Sequence, residues 1–313
     1  MLERVKLGST DLWVSPLCFG ALAVGPLQRN LSVVEAARVM GYALERGVNF
    51  IDTAKLYQCY PHIAKAVGQR EDVVIASRSY DYTFEGMRAS VDEARTMLNR
   101  DVIDIFMLHE QESELTLRGH RPALDYLQEA KAKGIIRAIG VSTHHVACVE
   151  AVCAHPEIDV VSPLLNKAGL GIIGGREKME QAIARAHALG KGVYLMKVLG
   201  GGHLISDVLS AFGYALSFPY AHAAAVGMST IEEVETNIQI FSGRSVDQDT
   251  LSGLIRDKTL HIDSWCQKCG TCVKKCPAGA LSLEETGPVV DRKKCLLCGY
   301  CGAVCPEFAL KII

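Results

Sequence analysis

Eight short apolar runs, rich in valine and isoleucine, recur along residues 1–241 and alternate with segments of helical periodicity. In chain order the runs are PLCFGA, VNFID, DVVIAS, VIDIFMLH, IRAIGVS, DVVSPLLN, VYLMK and AAAVGM. One intervening segment begins at Ser32 and ends at Gly47, as expected for a helix with a serine N-cap and a terminal glycine. Eight strands that alternate with helices favour an α/β fold of the parallel (β/α)8 barrel type over an open doubly wound sheet.

The length of the chain allows a second, smaller domain. A barrel of this type needs ~250 residues, and the chain has 313. We predict the barrel over residues 1–241, a helix and linker over residues 242–261, and the small domain over residues 262–313. The opening segment, RVKLGSTDLWVS, indicates a hairpin that closes the barrel floor. The dinucleotide fingerprint G-x-G-x-x-G follows none of the apolar runs.

Composition narrows the class of protein further. The net charge of −2 gives no broad basic surface for nucleic acid or anionic lipid. No apolar stretch reaches the ~20 residues of a membrane helix, and the N-terminal segment lacks the pattern of a signal peptide. Eight of the twelve cysteines crowd into two motifs near the C-terminal end, which indicates metal binding in a reducing compartment. We therefore expect a cytoplasmic protein without nucleic-acid or membrane partners.

The two cysteine motifs, WCQKCGTCVKKCPAGA and KCLLCGYCGAVCPEFAL, share one spacing. Each offers three cysteines as C-x2-C-x2-C and a fourth before a proline, and in paired motifs of this kind the fourth ligates the other [4Fe–4S] cluster. The predicted ligands are Cys266, Cys269, Cys272 and Cys305 for the first cluster, and Cys276, Cys295, Cys298 and Cys301 for the second. Zinc is disfavoured, because it is usually held by two separated C-x2-C pairs.

The segment between the motifs, ALSLEETGPVVDRKK, predicts a hairpin that turns at its Gly-Pro pair. With this hairpin and the two motifs, residues 262–313 resemble bacterial ferredoxins that carry two [4Fe–4S] clusters. The resemblance implies a small α+β ferredoxin-like domain that passes single electrons.

Polar residues gather just after the predicted strands, where barrel enzymes place their catalytic groups. The positions are Asp52, Thr53, Tyr57, Ser77, Arg78, His109, Ser142, Thr143, Asn166, Lys197, Gly200–Gly202 and Gly227–Thr230. The surrounding motifs FIDTAKLYQ, IDIFMLH, IGVST, LLN, MKVLGGG and VGMSTIEEVETN resemble the aldo/keto reductase family, in order, through about residues 1–241. The resemblance to that family implies carbonyl reduction beside a hydride donor, by a tetrad of Asp, Tyr, Lys and His.

Three members of that tetrad have a match. By resemblance, Tyr57 is the acid/base, Asp52 holds the neighbouring cation and His109 orients the substrate oxygen. The family's Thr-Lys after the third strand is Ser77-Arg78 here. A cation lowers the ordinary tyrosine pKa of ~10, and Arg78 can supply it. Arginine cannot deprotonate and its planar fork directs charge differently from lysine, so we expect weakened carbonyl reduction or a somewhat different reaction.

The resemblance also implies a nucleotide site. Its residues are Ser142 and Asn166 at the nicotinamide amide, Lys197 at a phosphate or the substrate, Gly200, Gly201 and Gly202 at the pyrophosphate, and Ser229, Thr230 and Asn237 at the adenosine end. Relatives that use NADPH commonly offer a basic residue for the 2′-phosphate. Residues 227–241 contain none, so NAD(H), NADP(H) and no nucleotide at all stay open.

The two halves of the chain transfer electrons differently. A nicotinamide gives two electrons as hydride, a cluster takes one, and a flavin usually converts between them. No flavin fingerprint is visible, although a barrel can bind a flavin phosphate without a short motif. A flavin is therefore not excluded.

Three functions stay open. The first is an iron–sulfur aldo/keto reductase-like enzyme, acting on a small carbonyl or hydroxy compound and linked to a ferredoxin or other redox protein. The second is cluster-driven, one-electron reduction without nicotinamide. The third is a non-catalytic electron carrier. Each implies an anaerobic or low-potential setting, and we expect the ferredoxin-like tail to lie near the barrel mouth.

Overall fold

The computed structural model describes residues 2–256 and 258–313 and contains a closed barrel of eight parallel strands. Met1 and Asp257, which fall in the predicted barrel and linker ranges, lie outside the described residues. The strands before and within the barrel are β1 (Val5–Lys6), β2 (Trp13–Val14), β3 (Leu17–Gly20), β4 (Phe50–Asp52), β5 (Val74–Ser79), β6 (Ile103–Leu108), β7 (Ile136–Thr143), β8 (Val160–Pro163), β9 (Gly192–Leu195) and β10 (Ala223–Gly227). Each predicted apolar run overlaps one of the strands β3–β10, and these eight strands form the closed barrel, which confirms the predicted fold.

Helices pack around the outside of the barrel. They are α1 (Val33–Glu45), α2 (Tyr60–Val67), α3 (Phe84–Leu98), α4 (Glu114–Gly119), α5 (Arg121–Ala132), α6 (Val146–Val152), α7 (Arg176–Ala188), α8 (Val208–Ser217), α9 (Ile231–Phe241) and α10 (Gln248–Arg256). In α1, Ser32 Oγ accepts a hydrogen bond from the Glu35 N–H, and the Glu35 carboxylate accepts one from the Ser32 N–H. This capping box satisfies two backbone donors that the helix start would leave unpaired.

The predicted floor hairpin is present. β1 and β2 pair antiparallel, and the side chains of Leu7, Leu12 and Val14 join the buried cluster at the barrel interior, with Phe50 and Tyr194. This hairpin therefore fills the end of the barrel opposite the carboxyl ends of the strands, which keeps the catalytic face open.

The tail after α10 forms two small antiparallel pairs and two short helices. Its elements are β11 (Leu260–Ile262), α11 (Thr271–Lys275), β12 (Leu281–Glu284), β13 (Gly287–Val290), α12 (Tyr300–Ala303) and β14 (Leu310–Ile312). β11 pairs with β14, so the sheet of the tail begins two residues inside the predicted linker. The hairpin between the motifs is confirmed, but its predicted Gly-Pro turn is wrong. Gly287 and Pro288 pair with Glu284 and Leu283, so the turn lies two residues earlier, at residues 285–286.

The tail lies on the mouth of the barrel, as expected. The Ile312 N–H donates to the Gly201 carbonyl oxygen at 2.9 Å, in the loop after β9. His203 of the same loop is hydrogen-bonded through Nε2 to the Leu310 carbonyl oxygen at 2.7 Å. No helix in the described part of the chain is long and apolar enough to cross a membrane.

We expect Gly202→Ala to weaken this docking. Gly202 has a φ of +88°, and an added Cβ would lie 2.1 Å from the Ile312 carbonyl oxygen. The left-handed backbone alone costs an alanine about 1–2 kcal/mol, and the clash adds to that loss of unfolding free energy. Thermal unfolding and limited proteolysis of the tail measure the effect.

Gly213→Ala is the matched control for that variant. Gly213 lies within α8, and an added Cβ meets nothing within 4 Å among the described residues. Alanine is favoured over glycine there by roughly 0.5–1 kcal/mol. Equal stability of the two variants would contradict the docking of the tail on the loop after β9.

Candidate active site

A buried ion pair lies at the carboxyl ends of β4 and β5. Arg78 Nη1 and Nη2 donate to Asp52 Oδ1 and Oδ2 at 2.9 and 2.5 Å. The Tyr194 hydroxyl, from β9, donates to Asp52 Oδ1 at 2.7 Å. Both charged side chains are less than a tenth exposed, and burying charges is tolerated only when pairing and hydrogen bonds offset the lost hydration. The bidentate hydrogen bonds from the Arg78 guanidinium and the hydrogen bond from Tyr194 provide that compensation.

Tyr57 lies against this pair. It ends a 3-10 turn that follows β4, and its hydroxyl is 3.3 Å from Arg78 Nη2, which donates to it. Burial raises the pKa of Tyr57, the Arg78 charge opposes that rise, and the Asp52 carboxylate adds to it. The balance keeps the phenol protonated at neutral pH, so Tyr57 is suited to donating a proton.

His109 completes the group of predicted catalytic side chains. Its ring lies edge-on to Tyr57 at 5.9 Å and stacks on Tyr80 at 4.1 Å. Burial lowers the pKa of His109 well below its usual value, and the charges of Arg78 and Lys197 lower it further. The imidazole is therefore neutral at pH 7. Its Nδ1 is buried and has no hydrogen-bond partner among the described residues.

Near His109, the predicted residue Lys197 belongs to a chain of polar groups whose other members, Tyr80, Glu110 and His144, were not among the predicted site residues. The Tyr80 hydroxyl donates to Glu110 at 2.5 Å, and Glu110 lies 3.4 Å from His144 Nε2. Lys197 Nζ is 2.8 Å from the same His144 nitrogen. Burial lowers the pKa of Lys197 to about 7, and the nearby Lys311 charge contributes. Lys197 also has a left-handed backbone, with a φ of +56°, which is uncommon outside glycine and concentrates at functional sites.

One cavity is lined by three of the four predicted catalytic residues, Asp52, Tyr57 and Arg78, whereas His109 is outside its described lining. Its wall also includes Ser229 and Asn237. The tail contributes Lys311, Ile312 and Ile313 to the wall. The barrel and the tail therefore enclose the same space.

The residues implied to hold a nucleotide divide into two groups. Those that line the cavity are Lys197, Gly201, Gly202, Ser229 and Asn237; Ser142, Asn166, Gly200 and Thr230 are outside its described lining. Asn166 is fully buried, and both ends of its amide are hydrogen-bonded to the Leu170 backbone. Ser142 is also buried, and its hydroxyl accepts from the Glu110 N–H.

The region predicted to hold adenosine carries a charge pair that crosses from the barrel to the linker. Glu233 Oε2 accepts from the Ser229 N–H at 2.6 Å and from the Thr230 N–H at 3.3 Å, while Oε1 pairs with Lys258. Arg29 also lines this part of the cavity. Both basic residues lie far from residues 227–241 in sequence, which is why the local pattern did not reveal them.

The predicted cluster ligands surround two small cavities in the tail. One is lined by Cys266, Cys269, Cys272 and Cys305, and the other by Cys276, Cys295, Cys298 and Cys301. Backbone N–H groups of Lys268, Ala280 and Ala309 donate to the sulfurs of Cys266, Cys276 and Cys305 at 3.3–3.5 Å. No group of side chains in the described residues is arranged around a single metal ion. Four thiols around a void with N–H···S bonds fit the larger iron–sulfur cage.

Comparisons with known proteins follow the same division of the chain. The aldo/keto reductase family model matches residues 16–210, and the 4Fe-4S dicluster domain model matches residues 265–309. The chain is 24% identical to the L-galactose dehydrogenase of Arabidopsis thaliana over 308 residues, covering 80% of this chain and 92% of that protein. It is 43% identical over 47 residues to one component of the ion-translocating oxidoreductase complex of Methanosarcina acetivorans, covering 15% of this chain and 18% of that protein.

Solved structures agree with the barrel. An aldo-keto reductase from Pseudomonas aeruginosa matches with a TM-score of 0.67 and 26% identity, covering 77% of this chain and 94% of that one. The eight-stranded barrel, the two cysteine-lined cavities and both family models lead to one assignment. The chain belongs to the aldo/keto reductase family and carries a 4Fe-4S dicluster domain after its barrel.

Proposed function

We propose that this oxidoreductase interconverts a small carbonyl compound and its alcohol at Tyr57, and that its clusters exchange electrons with a redox partner protein. Hydroxycarbonyl compounds of the sugar type are the first substrates to test, because one relative is an L-galactose dehydrogenase. We expect the protein to work in the cytoplasm, in an anaerobic or low-potential setting, because exposed cluster thiolates need a reducing compartment.

The position of Arg78 carries the proposal. Its guanidinium lies between the Asp52 carboxylate and the Tyr57 hydroxyl, which is the place that the family's mechanism gives to a lysine. A positive charge at that point stabilises the phenolate that forms as Tyr57 gives its proton to the carbonyl oxygen. His109, neutral at pH 7, has its ring 5.9 Å from the Tyr57 ring and would help to align that oxygen.

The raised pKa of Tyr57 favours reduction over oxidation. A protonated phenol is ready to donate to a developing alkoxide, whereas alcohol oxidation needs the phenolate as a base. Since burial outweighs the Arg78 charge, the phenolate is scarce at neutral pH. Oxidation should therefore speed up as the pH rises, while reduction should not require high pH.

The cysteine sets described above would hold two [4Fe–4S] clusters, which supply one-electron transfer when bound. The chain itself holds their loops against the cavity. Phe308, three residues after Cys305, lies with its ring 5.0 Å from Lys197 Nζ. The first cysteine set is thereby joined to the wall of the active-site cavity through a single aromatic residue.

A second candidate function is cluster-driven reduction without nicotinamide. Two observations favour it: the Asn166 amide is already bonded within its own loop, and Gly202 is packed against the Ile312 backbone. In this case Tyr57 and Arg78 stabilise the anion that forms as the substrate accepts single electrons. NADH, NADPH and a flavin converter are all compatible with the first function, and only the second dispenses with them.

Tyr57→Phe separates both catalytic functions from a carrier that only docks a partner. Loss of the proton donor should lower kcat/KM for carbonyl reduction by roughly 10²–10⁴-fold. Cluster reduction by dithionite, followed by visible absorbance, should not change. Carbonyl turnover equal to that of the wild type would overturn the assignment of Tyr57.

Substitution of Arg78 tests its role as the cation. Arg78→Met leaves the Asp52 carboxylate buried without its partner, which should cost about 3–5 kcal/mol of unfolding free energy as well as turnover. Arg78→Lys keeps the charge and should retain kcat/KM within about tenfold, because a point charge replaces the fork. Thermal unfolding and steady-state kinetics measure both effects.

Arg4→Met is the control for stability. Arg4 pairs with Asp72 at 2.6 Å, and both side chains are exposed, at 42% and 60%. Such surface pairs are worth about 0–1 kcal/mol. If Arg78→Met and Arg4→Met lower the free energy of unfolding equally, the buried pair does not stabilise the fold as proposed.

Lys197 should make anion binding depend on pH. We propose that its Nζ contacts a phosphate of the nucleotide or an anionic group of the substrate, from its place in the cavity wall. Because its pKa is lowered to about 7, the cation is lost as pH rises from 6 to 8. The affinity of the wild type for NADH, measured by fluorescence, should fall over that range. In Lys197→Arg the affinity should not depend on pH, because arginine keeps its charge. An affinity that is independent of pH in the wild type would count against this role.

A further inference from the structure

A patch of positive charge surrounds the second cysteine set. Its members, all exposed, are Lys274, Lys275, Arg292, Lys293 and Lys294, and we call them the basic surface. Residues 271–279 and 291–300 carry a single acidic side chain, Asp291, which lies 3.4 Å from Lys294. Five positive charges against one give a strongly cationic face on a chain whose net charge is −2.

The fold brings the two halves of the basic surface together. Lys275 directly precedes Cys276 at the end of α11, and Lys294 directly precedes Cys295. Both cysteines line the same cavity, so these lysines border one predicted cluster although they are 19 positions apart in sequence. Beside the first cysteine set charges of both signs occur, because Lys268 precedes Cys269, Lys274 is two positions after Cys272 and Glu307 is two positions after Cys305.

Two apolar side chains lie within the basic surface. Leu296 is 72% exposed and Tyr300 is 61% exposed, and each follows or adjoins a cysteine of the second set. Leu296 also lines the cavity that the four thiols surround. Leu296 therefore lies between the predicted cluster and solvent, and this short separation favours electron transfer to a docked protein.

The opposite side of the second set faces the barrel. An added Cβ at Gly299 or Gly302 would lie 2.9 or 1.8 Å from the His203 side chain, so the loop around Cys301 is packed against the barrel mouth. The exposed Leu296 and Tyr300 are thus the available face of this set. The first set is joined to the cavity wall through Phe308, as described above.

We propose that the basic surface, with Leu296 and Tyr300 at its centre, is the docking site of an acidic one-electron carrier protein. Electrons pass between that carrier and the second cysteine set's cluster, and from there by way of the first set to the barrel. The proposal rests on the proposed exchange of electrons with a redox partner. Opposite charges speed diffusional encounter, and a small apolar centre inside a charged rim is how transient interfaces are built.

The test is stopped-flow reduction of the full-length, cluster-loaded protein by a reduced plant-type [2Fe–2S] ferredoxin of negative net charge. We expect the second-order rate constant to fall at least tenfold between low and high salt, because exposed charges are screened over ~10 Å at 0.1 M. The double variant Lys293→Glu/Lys294→Glu should lower it tenfold or more at low salt. Lys268→Glu, an exposed lysine beside Cys269 in the first set, is the matched control and should stay within about twofold of the wild type.

Two further measurements isolate docking from damage to the clusters. Iron content and reduction by the methyl viologen radical cation should be undiminished in the double variant, since a small cation is not attracted by lysines. The proposal is wrong if the rate constant with ferredoxin does not depend on salt concentration, or if it is unchanged in the double variant. It is also wrong if Lys268→Glu lowers the rate constant as much as the double variant does. Failure of the proposed carbonyl chemistry would appear separately, as absent turnover in the wild type with ferredoxin reduction intact.

Discussion

The ion pair between Arg78 and Asp52 is the interaction on which the site depends. It ties the ends of β4 and β5 together and, through the Tyr194 hydroxyl, reaches across the barrel to β9. A buried charge pair of this kind survives because three hydrogen bonds to one carboxylate replace its hydration. The same geometry brings the guanidinium to the Tyr57 hydroxyl. The hydrogen bonds that compensate the buried charges therefore also bring a cation to the proposed acid/base residue, with arginine in the place that the resemblance gives to lysine.

The second constraint is the docking of the tail on the loop after β9. The tail is held against the barrel by the hydrogen bond from Ile312 to Gly201. His203 also packs against the tail loop that contains Gly299 and Gly302. As a result Lys311 becomes part of the active-site cavity wall, and its charge contributes to the lowered pKa of Lys197. The tail therefore changes the surroundings of the cavity in two ways, by contributing to its wall and by adding a positive charge near Lys197.

The sequence predicted what depends on local pattern. The apolar runs predicted all eight barrel strands. Asp52, Tyr57 and Arg78 were predicted as site residues because they lie at or after strand ends, and the structure brings them together. Contacts between segments that are distant in sequence could not be predicted from local pattern. Tyr194 meets Asp52 only because the barrel closes, and Lys258 meets Glu233 only because the chain returns after α10. The Gly-Pro turn failed because pairing within the tail, which no local signal encodes, places those residues in a strand.

We infer that nicotinamide-dependent chemistry in the barrel and the clusters belong to one electron path. The most direct test is an anaerobic titration of the cluster-loaded protein with NADH and then NADPH, after any bound flavin has been measured. Visible absorbance and the EPR signal of the reduced clusters report the outcome. We expect at least one nucleotide to reduce the clusters. If neither does so while dithionite reduces them fully, nicotinamide and clusters are uncoupled, and that result would contradict the first proposed function and favour cluster-driven reduction without nicotinamide.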